Sequence, residues 1–142
     1  MLGQHLTLDF YDCDKENLGN QDFIYQILDE LPELIGMQKL TKPSLTVYEG
    51  NPNTFDKGGI SGFVIIAESH ISIHTFFEQE FASVDIFSCK EFDLEKATNY
   101  LVEKLKTKKV ERNLINRGIE FPKNIKLAKA VVNRQRLDIS KN

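Results

Sequence analysis

No stretch of this 142-residue chain approaches the roughly 18 consecutive apolar residues that a membrane helix needs, so no membrane partner is expected. The opening residues, Met1 to Phe10, contain His5 and Asp9 and lack the cationic-then-apolar profile of a secretory signal, which points to a cytoplasmic protein. Cysteine is scarce. Cys13 and Cys89 are the only two, and in the cytosol both are expected to be reduced, hence either packed or chemically used. A large charge of one sign is also lacking: a net charge of -3 gives no reason to expect nucleic acid or a membrane surface as partner. The balance is uneven along the chain. From Ile119 onward Lys123, Lys126, Lys129, Arg134, Arg136 and Lys141 face only Glu120 and Asp138. Aromatic residues do not interleave with them, so the segment 119–142 reads as a basic solvated tail or docking segment.

What is present suits one soluble domain with one core, expected over residues 1–118: 41% hydrophobic and 27% charged residues are ordinary for a globular chain. Gln4 to Tyr11 alternates His5, Thr7 and Asp9 with Leu6, Leu8 and Phe10, the period of a half-buried strand. After turn-rich residues 12–20, Asn20 is placed to cap a helix carrying Phe23, Ile24, Ile27, Leu28 and Leu31, expected to kink or end near Pro32. Leu45 to Tyr48 reads as a short strand and Glu49 to Gly59 as a polar loop. Ile60–Ala67, Ile71–Phe77 and Phe81–Phe87 are three strands joined by connections too short for anything but antiparallel neighbours. Asp93 then caps a helix that buries Leu94, Ala97, Leu101 and Leu105, and Lys108 to Ile115 is a last strand. This order predicts an α+β two-layer sandwich, a mainly antiparallel sheet covered on one face by helices.

Serines, histidines, glutamates and a cysteine crowd the segment from Ser61 to Cys89. Singly, each has a structural reading. Their order is more informative: Gly59-Ile60-Ser61-Gly62, then Ala67-Glu68-Ser69-His70-Ile71-Ser72-Ile73-His74-Thr75, then Val84-Asp85-Ile86-Phe87-Ser88-Cys89. Together with Gly3-Gln4-His5-Leu6 and Asp9-Phe10-Tyr11-Asp12-Cys13, this arrangement resembles the S-adenosylmethionine decarboxylase proenzymes of the short prokaryotic type. The resemblance spans roughly residues 3 to 118, and it implies self-cleavage between Glu68 and Ser69 into fragments 1–68 and 69–142.

The resemblance assigns roles that chemistry can be asked to justify. Ser69 attacks the Glu68 carbonyl, an amide-to-ester shift that needs a strained or well-positioned peptide and a stabilised oxyanion. β-Elimination and hydrolysis then leave a pyruvoyl group at position 69, the cofactor the resemblance implies. His74 corresponds to the family's acid/base in processing and Ser61 to a residue that hydrogen-bonds the intermediate. His74 lies five residues beyond Ser69, so in a continuous strand the two face opposite sides, and a turn around Ser69 or a bulge is expected to bring them together. Cys89 matches the family's proton donor, and a thiol is a competent acid near neutral pH. Cys13 matches a family position without a role, and packing is its expected use. Phe55 falls where the family stacks an aromatic ring on adenine, and Glu78 where it binds ribose hydroxyls. A homodimer of processed protomers, with sites at the interface, is the implied assembly.

Departures bear on the substrate. After Thr75 the family continues Trp-Pro-Glu and then Gly-Tyr-Ala, whereas this chain reads Phe76-Phe77-Glu78 and then Gln79-Glu80-Phe81-Ala82-Ser83. Glu80 adds a second carboxylate that would welcome a basic amino acid as well as a sulfonium. The alternatives to S-adenosylmethionine are therefore ornithine or arginine on the same scaffold. A catalytically silent regulatory homologue is a further alternative, disfavoured by the intact Glu68-Ser69, His74 and Cys89. A metal site is not expected, since His5, Cys13 and His74 fit no compact ligand motif.

Overall fold

The computed structural model describes residues 2–121 together with residues 130, 133, 134 and 137, so most of the basic tail expected over 119–142 lies outside the described residues. The element order is β1 (Gly3–Tyr11), α1 (Lys15–Leu18), α2 (Gln21–Leu34), β2 (Gln38–Lys39), β3 (Ser44–Tyr48), β4 (Gly59–Ala67), β5 (Ser69–Phe76), β6 (Phe81–Ser88), α3 (Leu94–Leu105) and β7 (Lys109–Arg117). The strands form one sheet in the order β2-β4-β5-β6-β1-β7, and β3 shares with β2 the outer edge of β4. Every pairing is antiparallel.

Alternation along the strands separates the two faces. Leu6, Leu8 and Phe10 of β1, Val64 and Ile66 of β4, Ile71 and Ile73 of β5, and Val84 and Ile86 of β6 are buried on one face. Ile24, Ile27, Leu28 and Leu31 of α2 and Leu101 and Leu105 of α3 complete that core, which makes the α+β two-layer sandwich expected from the sequence. At Gly62 a Cβ would lie 2.2 Å from Leu45 Cδ2 and 2.9 Å from Leu28 Cδ1 of α2, so any larger residue would force these leucine side chains to shift. The alternate strand positions, among them His5, Ser61, Phe63, Ser72 and His74, make up the other face, where Ser61, Phe63 and His74 are exposed.

Both helix caps form as read. The Asn20 side chain accepts from the Phe23 N–H at 3.1 Å and that of Asp93 from the Lys96 N–H at 2.9 Å. Helix α2 runs two residues past Pro32 and stops where Gly36 adopts φ 77°, the left-handed conformation that glycine enters without a Cβ penalty. Two elements escaped the sequence reading: α1, a single turn inside the turn-rich segment, and the two-residue β2. Buried Thr75 ties three of these elements together, accepting from the Ile60 N–H at 2.9 Å and donating to the Leu18 carbonyl at 2.8 Å.

Candidate active site

Strands β4 and β5 are joined by Glu68 alone, an exposed turn residue. The next residue, Ser69, has φ 117°, a region that residues with a Cβ rarely enter and that costs of order 1–3 kcal/mol. Strand β6 ends alongside, with Ser88 paired to Ser69, and this delivers Cys89 to the turn. The Ser69 hydroxyl lies 3.6 Å from Cys89 Sγ, and the Cys89 backbone N–H donates to the Glu68 carbonyl oxygen at 3.3 Å. A hydroxyl, a thiol and a polarised carbonyl thus surround one strained peptide junction. An N–H aimed at a carbonyl oxygen is also placed to stabilise the negative charge that nucleophilic attack would develop there.

Ser61 and His74 form a second group. They are cross-strand partners on β4 and β5, and Ser61 Oγ lies 2.8 Å from His74 Nδ1. The expected turn or bulge that would bring His74 to Ser69 is absent. Strand β5 keeps an unbroken register with β4 and with β6 from Ser69 to His74. At the strand rise of about 3.3 Å per residue, five residues hold the two side chains about 16 Å apart along β5. Hydrogen bonding on both edges of a central strand leaves no slack for a bulge, so within one chain the two groups stay at opposite ends of the sheet.

The His74 end carries a cavity of about 330 Å³ lined by Tyr11, Phe55, Phe76, Gln79 and Phe81. Phe76 and Phe81 are paired across the β5–β6 hairpin, with ring centroids 5.8 Å apart, and Tyr11 stands 5.2 Å from Phe81. Phe55 is 78% exposed, its backbone carbonyl accepting from the Gln79 side-chain amide, so its ring is not a core anchor for the loop. Glu78 does not itself line the cavity; it is ion-paired with Lys15 Nζ at 2.8 Å, both side chains about half exposed. Glu80, exposed and at φ 53°, does not line the cavity; its carbonyl accepts from the Cys13 N–H at 2.9 Å. Burial pushes the Cys13 thiol up to about 11, the behaviour of a packed sulfhydryl.

Of the residues singled out from sequence, Glu68, Ser69 and Cys89 therefore meet at one end of the sheet. Ser61 and His74 meet at the other, the end that carries the cavity lined in part by Phe55. Tyr11, Phe76, Phe81 and Lys15 were missed. The pairing of Phe76 with Phe81 was readable from the hairpin between two alternating strands, whereas the Lys15–Glu78 pair, 63 residues apart, had no local signal.

The fold and these two groups define a class: an α+β sheet protein with a serine and a cysteine at a strained turn at one sheet end and a serine–histidine pair at the other, the end that carries an aromatic cavity. Comparison with known proteins gives the family. The S-adenosylmethionine decarboxylase family matches residues 4–118, and the chain belongs to it. It is 36% identical over 128 residues to the S-adenosylmethionine decarboxylase proenzyme of Caldicellulosiruptor saccharolyticus, covering 89% of this chain and 96% of that protein. To the proenzyme of Clostridium kluyveri it is 39% identical over 119 residues, 83% of this chain and 88% of the relative. The crystal structure of the adenosylmethionine decarboxylase from Aquifex aeolicus superposes with a TM-score of 0.66 at 30% identity, covering 83% of this chain and 92% of that one.

Proposed function

We propose that this chain is a self-processing, pyruvoyl-dependent decarboxylase of S-adenosylmethionine that supplies polyamine synthesis in the cytoplasm and works as a homodimer. The observation that carries the reading is the convergence of the Ser69 hydroxyl, the Cys89 thiol and the Cys89 N–H on the Glu68–Ser69 junction of a chain in this family.

In processing, Ser69 Oγ adds to the Glu68 carbonyl carbon while the Cys89 N–H holds the developing oxyanion. The C–N bond breaks as the nitrogen takes a proton, leaving an ester between Glu68 and Ser69 and a free amine on Ser69. Loss of the Ser69 α-proton breaks the Cβ–O bond and releases Glu68 as a carboxylate. The dehydroalanine left at position 69 tautomerises and takes up water, expelling ammonia and leaving a ketone. Held at position 69 beside Cys89, a pyruvoyl group would supply the electron sink that decarboxylation of an amino acid substrate needs. Cys89, 3.6 Å from the position of Ser69 Oγ, is then the acid that returns a proton to the carbon that lost carbon dioxide.

Ser61 and His74 serve this chemistry only if a second protomer brings them. They are exposed on the face that the helices leave uncovered, about 16 Å along β5 from their own Ser69. The proposed homodimer would set Ser61 and His74 of the partner subunit, with the cavity beside them, at the sheet end that carries Ser69 and Cys89. The cavity's aromatic lining suits adenine. Because Lys15 already neutralises Glu78, that carboxylate is better placed to accept from ribose hydroxyls than to anchor the distal cation of ornithine or arginine.

Purified protein should resolve by intact mass into fragments 1–68 and 69–142, the second blocked by a keto group. It should then release carbon dioxide from S-adenosylmethionine and not from ornithine or arginine assayed beside it. Turnover of either amino acid with none of the nucleoside would overturn the substrate assignment. A chain that stays whole after long incubation, with no hydrazine-reactive carbonyl, would overturn the processing chemistry.

A further inference from the structure

We propose that Ser88 is a positioning residue for the Glu68–Ser69 junction, acting through Cys89. The inference rests on the self-processing reading above. Ser88 ends β6 and is 0% exposed, an uncommon place for a hydroxyl. Its Oγ accepts from the Lys90 backbone N–H at 3.0 Å and donates to Met37 Sδ at 3.6 Å. The first bond is a serine turn, in which a side chain takes the amide two residues on and so mimics a backbone turn. Cys89 is the residue enclosed by that turn.

The rest of the Ser88 backbone has no freedom to compensate. It is paired to Ser69 on one side and to Gln4 on the other. Gly3 presses against it so closely that a Cβ there would lie 2.1 Å from the Ser88 carbonyl oxygen and 2.8 Å from Cys89 Cα. With β6 held between two strands, the direction in which the chain leaves the sheet is set by the Ser88 hydroxyl. That direction aims the Cys89 N–H at the Glu68 carbonyl and its thiol at Ser69 Oγ. If the hydroxyl is removed, exposed Lys90 can turn its amide to water, so the fold loses little. The aim of Cys89 is lost nonetheless.

The test follows self-cleavage of wild type, Ser88→Ala and Ser88→Thr by intact mass over time, with thermal midpoints taken in a Ser69→Ala background where no chain is cut. The expected result is cleavage slowed roughly three- to ten-fold in Ser88→Ala, the worth of one hydrogen bond, and recovered in Ser88→Thr. After cleavage, Ser88→Ala should also inactivate more often per turnover, because a misaimed thiol protonates the wrong carbon. A purely structural serine would move the thermal midpoint and leave that partition unchanged. Equal cleavage rates and equal inactivation in wild type and Ser88→Ala, or a folded Ser88→Thr as slow as Ser88→Ala, would overturn the proposal alone. A wild type that never cleaves would remove the underlying reading and the proposal with it. Should Ser88→Ala fail to fold, Ser88→Cys keeps the shape and weakens the acceptor, and the same comparison decides.

Discussion

Cys89 offers two groups to the same junction, and substitution can separate them. The backbone N–H that meets the Glu68 carbonyl survives in Cys89→Ala, while the sulfur beside Ser69 Oγ does not. Self-cleavage in this variant should therefore continue at a reduced rate. Decarboxylation should fall on the order of 10²-fold or more, the usual contribution of a placed general acid. Intact mass follows the first and carbon dioxide release the second; normal turnover would remove Cys89 from the role of proton donor. The identity of these residues was legible in the sequence because Glu68-Ser69 and Cys89 belong to ordered motifs. The N–H contact was not. It depends on φ 117° at Ser69 and on where β6 stops, and neither leaves a mark in residue type. Lys15 was hidden for a related reason: a lysine in a turn-rich segment looks solvated until the fold brings Glu78 within 2.8 Å.

At the scale of the elements, alternation was a sound guide wherever a strand has one buried face. β1, β4, β5 and β6 fall within a few residues of their expected bounds, as does the largely exposed β7, and both long helices begin at the caps read for them. The two-residue β2 has no period to read, and α1 is one turn inside residues that favour turns. The bulge expected near Ser69 came from requiring one chain to complete its own site. A central strand hydrogen-bonded on both edges cannot supply it. Within one chain the same strand keeps the aromatic cavity at the far end from Glu68. Phe55→Ala removes an exposed ring from a loop, so self-cleavage should proceed at the wild-type rate. The KM for S-adenosylmethionine should rise roughly three- to ten-fold, the worth of one aromatic stacking contact. Steady-state kinetics on the cleaved protein reads this directly, and an unchanged KM would take Phe55 out of the binding site.

For the whole molecule, the question is which copy of His74 serves which copy of Ser69. About 16 Å along β5 separates the two within one chain, whereas the proposed two-fold pairing would bring the two sheet ends together twice. The family resemblance already implied sites at a dimer interface, but the spacing of residues along a chain says nothing of which copy supplies which residue. Two inactive variants can decide it. His74→Ala retains a cleavable junction and lacks the histidine; Ser69→Ala retains the histidine and cannot be cut. Expressed separately, both should remain whole. Co-expressed in equal amounts and paired at random, about half of the His74→Ala chains share a dimer with a Ser69→Ala chain and should be cut, because His74 of the partner subunit reaches their Glu68–Ser69 junction. Intact mass distinguishes the two variants, so the cut chains can be assigned. If His74→Ala stays whole inside dimers shown by native mass to be mixed, then His74 acts within its own chain or not at all, and the shared site is wrong. If His74→Ala cleaves alone, the histidine is not needed for processing, and Cys89 with its N–H must suffice.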